Sequence, residues 1–218
     1  MTTSVRLHSA LVFAIVPFLC LEVRAQDAAQ NSPAVPAASN WTFSAAVAAY
    51  FVPDDANYVQ PTVVADRKWL HLEARYNYED LKTGSTWIGY NFTFGKDLSF
   101  SITPLFGGVF GRTAGIAPGY HATLDWRRVE LYSGSEYVFN LDEHADSFFY
   151  NWSEVTLAPW EWLTAGFVVQ RTHVYQTDRE VQRGFLVRIN RGPVSVTANV
   201  FNPDDKKPLL VLSASVDF

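Results

Sequence analysis

Met1 and Cys20 are the only sulfur-bearing residues of this 218-residue chain. A single thiol excludes a disulfide framework, a Cys-x-x-Cys redox pair and a cysteine zinc site. The sequence also lacks a phosphate-binding glycine loop and a dinucleotide fingerprint, and no cofactor is expected. Positive charge is in short supply. The 17 Lys and Arg residues face 22 Asp and Glu, a net −5, which speaks against nucleic acid as a partner. No apolar run reaches the roughly 20 residues that a spanning helix needs. From Trp41 onward there is no convincing helical period either.

The first 40 residues differ in kind from the rest. Arg6 and His8 precede an apolar run from Ala10 to Leu21, and Val23-Arg24-Ala25 offers a small residue at its exit. That layout predicts a secretory signal peptide over residues 1–25, cleaved after Ala25. Leu19, just before Cys20, is too bulky for a lipid-attachment site. Cleavage takes Arg6, Arg24 and Glu22 out of the charge count and leaves 15 basic against 21 acidic residues. Residues 26–40, rich in Ala, Pro, Ser and Gln without a period, predict a disordered lead-in. Residues 41–218 are one domain's worth of chain.

Period two recurs throughout that domain. Apolar and small or polar residues alternate in twelve segments, approximately 41–51, 58–66, 68–79, 84–95, 98–110, 118–126, 127–139, 147–157, 161–174, 182–191, 193–202 and 208–218. Ten strands would leave long unassigned loops. The connections sort into two kinds. On the side of the termini they are tight, as at Asp66-Arg67, Trp126-Arg127 and Arg191-Gly192; on the far side they are longer and more acidic. Trp41, Trp69, Trp126, Trp160 and Trp162 fall at strand ends on the terminus side, with Trp87 near the opposite rim. Indole rings favour the headgroup level of a membrane.

The last strand ends Leu210-Val211-Leu212-Ser213-Ala214-Ser215-Val216-Asp217-Phe218. This alternation up to a terminal aromatic resembles the C-terminal signature strand of bacterial outer-membrane β-barrels. The resemblance implies an antiparallel up-and-down transmembrane barrel of about twelve strands, placed in the outer membrane after export. It also implies that Phe218 is read by the barrel-insertion machinery, and that outer-membrane lipid and lipopolysaccharide surround the wall.

Lysine usage favours lipid outside over water outside. All five lysines (Lys68, Lys82, Lys96, Lys206 and Lys207) sit in connections or at strand ends, whereas a soluble sandwich or lipocalin-like barrel decorates strand interiors with charge. Taking the small or polar set as inward gives a lumen of His71, Glu73, Arg75, Asn77, Asn91, His121, Asp125, Arg128, Glu130, Glu136, Glu154, Arg188 and Asn190. Tyr76 and Tyr78 then face lipid. Pro61 and Pro104 are expected as lipid-facing kinks, each removing a ladder donor.

Those lumen charges suit a narrow passive path for small hydrophilic solutes, with a mild cation preference because acids outnumber Arg. A barrel plugged by opposed Arg and Glu is the structural alternative. A lipid-hydrolase reading rests on Tyr120-His121-Ala122-Thr123, which is similar to the His-x-Ser pattern of outer-membrane lipid hydrolases. It departs from that pattern in having Thr123, and the register turns both residues inward, so no catalytic residue is assigned. Asp142-Glu143-His144-Ala145-Asp146 gathers oxygen and imidazole ligands without ordered spacing. Asp54-Asp55 and Asp204-Asp205 would share adjacent outer loops, but Pro-Asp is ordinary turn chemistry. No metal site is assigned.

Overall fold

The computed structural model describes residues 41–142, 146–174 and 180–218. They form β1 (Thr42–Phe51), β2 (Tyr58–Arg67), β3 (Leu70–Tyr76), β4 (Thr83–Tyr90), β5 (Phe92–Gly95), β6 (Leu98–Gly111), β7 (Gly115–Trp126), β8 (Val129–Asn140), β9 (Phe148–Trp160), β10 (Leu163–Val174), β11 (Glu180–Arg191), β12 (Val194–Phe201) and β13 (Leu209–Asp217). Segments β4 and β5 both pair with β6 in one register, Gly89 against Leu105 and Phe92 against Ile102, so they are two halves of a single crossing. The thirteen segments therefore make twelve crossings.

Each strand pairs antiparallel with its sequence neighbour, and β1 pairs with β13 from Ser44↔Asp217 to Phe51↔Leu210. The ring is closed. Phe218 extends the seam beyond the strand, its N–H donating to Phe43 O at 2.8–2.9 Å while Phe43 N–H donates to Phe218 O. Closure leaves no unpaired edge, the condition for backbone in hydrocarbon.

Side-chain polarity is inverted relative to a soluble domain. Val63, Ile88, Phe106, Phe167, Phe185 and Ile189 point outward and are each more than half exposed. His71, Glu73, Arg75, Glu136 and Glu154 are buried. Such an outer surface suits acyl chains and not water.

The connections on the terminus side are Lys68-Trp69, Lys96-Asp97, Arg127-Arg128, Glu161-Trp162 and Gly192-Pro193, each a two-residue turn. Lys68 and Arg127 take left-handed φ values of 54° and 57°, which lets the chain reverse within two residues. The far side carries the longer loops. There Lys207 Nζ donates to Asp54 at 2.6 Å and Arg183 Nη2 to Asp204 at 3.0 Å, so loops 52–57 and 202–208 are neighbours whose acids meet bases. Glu143, His144 and Ala145 lie outside the described residues, and with them most of the Asp142–Asp146 cluster.

Both prolines point outward, and their effects differ. The β1–β2 ladder continues through Val47↔Pro61, while the β2–β3 ladder ends at Thr62↔Arg75. Asn77 takes over from the ladder there: its Nδ2 donates to Val59 O, and Gln60 Nε2 donates to Asn77 O, both at 2.9 Å. Pro104 lies across from Tyr90, where β4 breaks. With no N–H on Pro104 the ladder loses a bond at this step.

Two expectations are corrected here. The interior is not only small or polar: Tyr50, Val168, Leu186, Phe201 and Val211 form one buried apolar cluster, and Trp87, Leu105, Val109, Ala117 and Val138 another. A barrel of this width fills part of its own inside with side chains, so inward positions need not be hydrophilic. Tyr78 does not face lipid either. Strand β3 ends at Tyr76, and Asn77 adopts φ +57°, which resets the alternation and turns Tyr78 inward.

Candidate functional site: the barrel interior

Alternation along β3 sends His71, Glu73 and Arg75 to one face. Arg75 is the hub. Its Nε and Nη2 grip Glu73 as a fork at 2.7 and 3.0 Å, and its Nη1 donates to Glu136 Oε2 at 2.7 Å. Glu79 reaches in from the far-side loop to 3.8 Å from Nη1, its side chain fully buried. The guanidinium carbon lies 4.3 Å from the Tyr78 ring centroid and 4.5 Å from that of Trp87. Planar cations favour such faces. A relay ties the same groups together: Trp87 Nε1 donates to Ser85 Oγ at 2.9 Å, and Ser85 Oγ donates to Glu79 Oε1 at 2.6 Å.

Nearer the terminus side the network continues. His71 Nδ1 lies 2.8 Å from Asp66 Oδ1. Asn91 Nδ2 donates to the same oxygen at 2.7 Å, and Thr103 Oγ1 donates to Asn91 Oδ1 at 2.6 Å. His121, from β7, stands edge-on to His71 with ring centroids 5.9 Å apart, and Arg75 Nη2 lies 3.3 Å from its Nε2. His121 is thus engaged by charged groups inside the barrel, away from lipid.

The opposite part of the interior is more open. Arg188 Nη2 donates to Glu154 Oε2 at 2.9 Å and Arg188 Nε to Thr197 Oγ1 at 3.2 Å, while Trp152 Nε1 donates to Glu154 Oε1 at 2.8 Å. Beside them is a cavity of about 220 Å³ lined by polar side chains such as Gln60, Thr62, Glu154, Arg188, Thr197 and Ser213 and by apolar and aromatic ones such as Ala46, Ala48, Tyr50, Tyr132, Trp152 and Val211.

Of the sequence-derived lumen set, then, the structure brings His71, Glu73, Arg75, His121 and Glu136 into one cluster and Glu154 with Arg188 into another. Asn91, Asp125, Glu130 and Asn190 are partly buried between or below them; Ser195 Oγ donates to Asn190 Oδ1 at 2.9 Å. Asn77 is placed in the far-side loop, where it accepts from Lys82 N–H at 2.7 Å. Arg128 is exposed in a terminus-side turn, donating to Pro159 O at 2.7 Å; beyond the strand end there is no inward face to point to. Trp87, expected at the far rim, is inside and 3 % exposed. Trp69, Trp126, Trp160 and Trp162 are exposed at the terminus-side turns, and Trp41 is half-buried there. They continue into stacked aromatics: Trp69 on Tyr90, Trp160 on Trp162, and Trp41 on Phe43, which stacks on Phe218.

Sequence reading missed Gln60, Tyr78, Glu79 and Trp152. Gln60 shares parity with Thr62 and Asp66, so alternation alone identifies it. Tyr78 and Glu79 required knowing that Asn77 is left-handed, a conformation Asn tolerates better than most residues.

A closed antiparallel wall, apolar without and charged within, defines a transmembrane β-barrel of the outer-membrane type. Among solved structures, the chain is similar to the KdgM porin, with a TM-score of 0.57 at 10% identity over 80% of this chain and 99% of that one. It is also similar to the KdgM porin in complex with disordered oligogalacturonate, with a TM-score of 0.56 at 9% identity over 81% and 99%. At such identities the likeness is one of fold. No protein-family model and no curated protein matches the sequence.

Proposed function

We propose that this barrel is a narrow passive channel of the outer membrane for small hydrophilic solutes, preferring cations to anions. The observation that carries the reading is the cavity beside the Glu154–Arg188 pair, where Gln60, Thr62, Thr197, Asn199 and Ser213 offer polar groups among apolar and aromatic neighbours such as Ala48, Tyr50, Trp152 and Val211. Inward carboxylates on Asp66, Glu73, Asp125, Glu130, Glu136 and Glu154 outnumber the inward guanidinium groups of Arg75 and Arg188, which favours cations. The similar porin was solved with oligogalacturonate, a polyanion; an acid-rich interior supports a different solute class here, neutral or cationic. Residues 1–25 would act as the export signal and Phe218 as the mark for the insertion machinery.

The test is conductance of purified, refolded protein in a planar bilayer under a salt gradient. Small, stable steps are expected, with a reversal potential of the sign given by cation flow. Glu154→Gln should move that potential toward zero. A flat trace from folded wild-type protein removes the channel reading and leaves a non-conducting structural barrel. The two apolar clusters in the interior are what favour that second reading.

A further inference from the structure

His71, Glu73 and His121 bring two imidazole rings and a carboxylate together inside the barrel, with Arg75 Nη2 the donor that reaches both Glu73 Oε2 at 3.0 Å and His121 Nε2 at 3.3 Å. In the tautomer that donates Nδ1–H to Asp66 Oδ1, 2.8 Å away, Nε2 of His71 is the ligating atom. That nitrogen lies 3.4 Å from Glu73 Oε2, a separation that fits either a proton shared by the pair or two ligands of one metal ion. His121 Nε2 accepts from Arg75 and stands 4.0 Å from the same carboxylate oxygen. The three ligand atoms all lie within 4.8 Å of one another.

We propose that His71 Nε2, His121 Nε2 and Glu73 Oε2 form a binding site for a divalent transition-metal ion, linking β3 to β7 inside the barrel. Two imidazoles and one carboxylate suit zinc-like ions and leave one coordination position open. Metal–ligand bonds of about 2.0–2.2 Å space tetrahedral ligands roughly 3.3–3.5 Å apart. The His71–Glu73 pair already has that spacing, and the His121 ring, the most exposed of the three at 25 %, has only to approach.

Two further observations point to a cation. First, His71 has the outer support that metal-binding imidazoles use, a carboxylate on the far nitrogen, and Asp66 is itself held by Asn91. Second, Glu73, Glu79 and Glu136 crowd around one guanidinium, and Glu79 Oε2 and Glu136 Oε1 are buried without a hydrogen-bond partner. A metal would take Glu73 Oε2 and His121 Nε2 from Arg75 Nη2, and the rigid, planar guanidinium would then shift as a whole, with the unpartnered oxygens of Glu79 and Glu136 placed to receive it.

The experiment is titration of the refolded, tag-free full chain with Co²⁺ after chelator treatment. Uptake of one ion per chain is expected, with the visible absorption of four-coordinate cobalt. Zn²⁺ should displace it; Mg²⁺ and Ca²⁺ should not. His121→Ala and His71→Ala should abolish the band, while His144→Ala and His173→Ala keep it. Gel mobility of the unheated protein verifies folding, and His121→Gln serves where the alanine variant does not fold. Absence of stoichiometric uptake by folded wild-type protein overturns the site, as does uptake that survives loss of His121. Neither outcome depends on whether the barrel conducts.

Discussion

Arg75→Met is expected to lower the stability of the barrel by about 3–5 kcal/mol, the range seen when one partner of a buried ion pair is removed. The reason is what stays behind. Glu73 loses both arms of its fork, Glu136 loses its 2.7 Å donor, and Glu79 loses its nearest cation. All three carboxylates are buried, and desolvated charge without a partner costs far more than the pair itself contributes. The faces of Tyr78 and Trp87 that the guanidinium covered would meet a thioether instead. The temperature at which the refolded protein loses its compact mobility on a denaturing gel reports the change. Adding Glu73→Gln and Glu136→Gln to Arg75→Met should recover most of the loss, since a neutral, well-packed replacement of a whole ionic group is often tolerated. If Arg75→Met alone melts like wild type, the network contributes little to stability.

The second large effect is expected at Gly107. A Cβ there would stand 2.5–2.7 Å from the Trp87 ring atoms, closer than carbon atoms approach. Trp87 lies flat against this position, opposite Gly107 in the β4–β6 register, with its N–H committed to Ser85 and its ring under Arg75. Gly107→Val must therefore push the indole out of place or bend the strand, costing about 1–3 kcal/mol by overpacking. Its neighbour Gly108 is the control: a Cβ there meets nothing within 4 Å, so Gly108→Ala should be close to neutral. Tryptophan fluorescence and the same melting assay separate the two variants. Equal behaviour of the two would contradict the packing described.

Much of the architecture was legible in the sequence because lipid imposes a simple rule on each strand. The apolar partners of Ser195, Thr197 and Asn199 must all face out, so one residue of known facing fixes its strand. The strand segments expected from that rule match the twelve observed crossings to within a few residues. The interior was less legible. Alternation says that Tyr50, Leu186 and Phe201 point inward, but a composition rule that equates inward with polar hides them. Arg75 and Glu73 were readable as neighbours two residues apart on one strand. Their meeting with Glu136 and His121 needed the closed wall, because β3 and β7–β8 come together across the barrel and not along the chain. Trp87 was misplaced for a related reason. An indole near a rim looks like a headgroup anchor until the glycine facing it is recognised as the space it fills.

The seam between the first and last strands carries a consequence for how such a wall comes into being. Hydrogen bonds join Phe43 to Phe218, so the ring closes only when the first and last strands meet. Until β13 docks, β1 and β12 each present a row of bare amide and carbonyl groups. A wall lacking β13 would leave the facing edges of that seam unpaired and so has no hydrocarbon-compatible form.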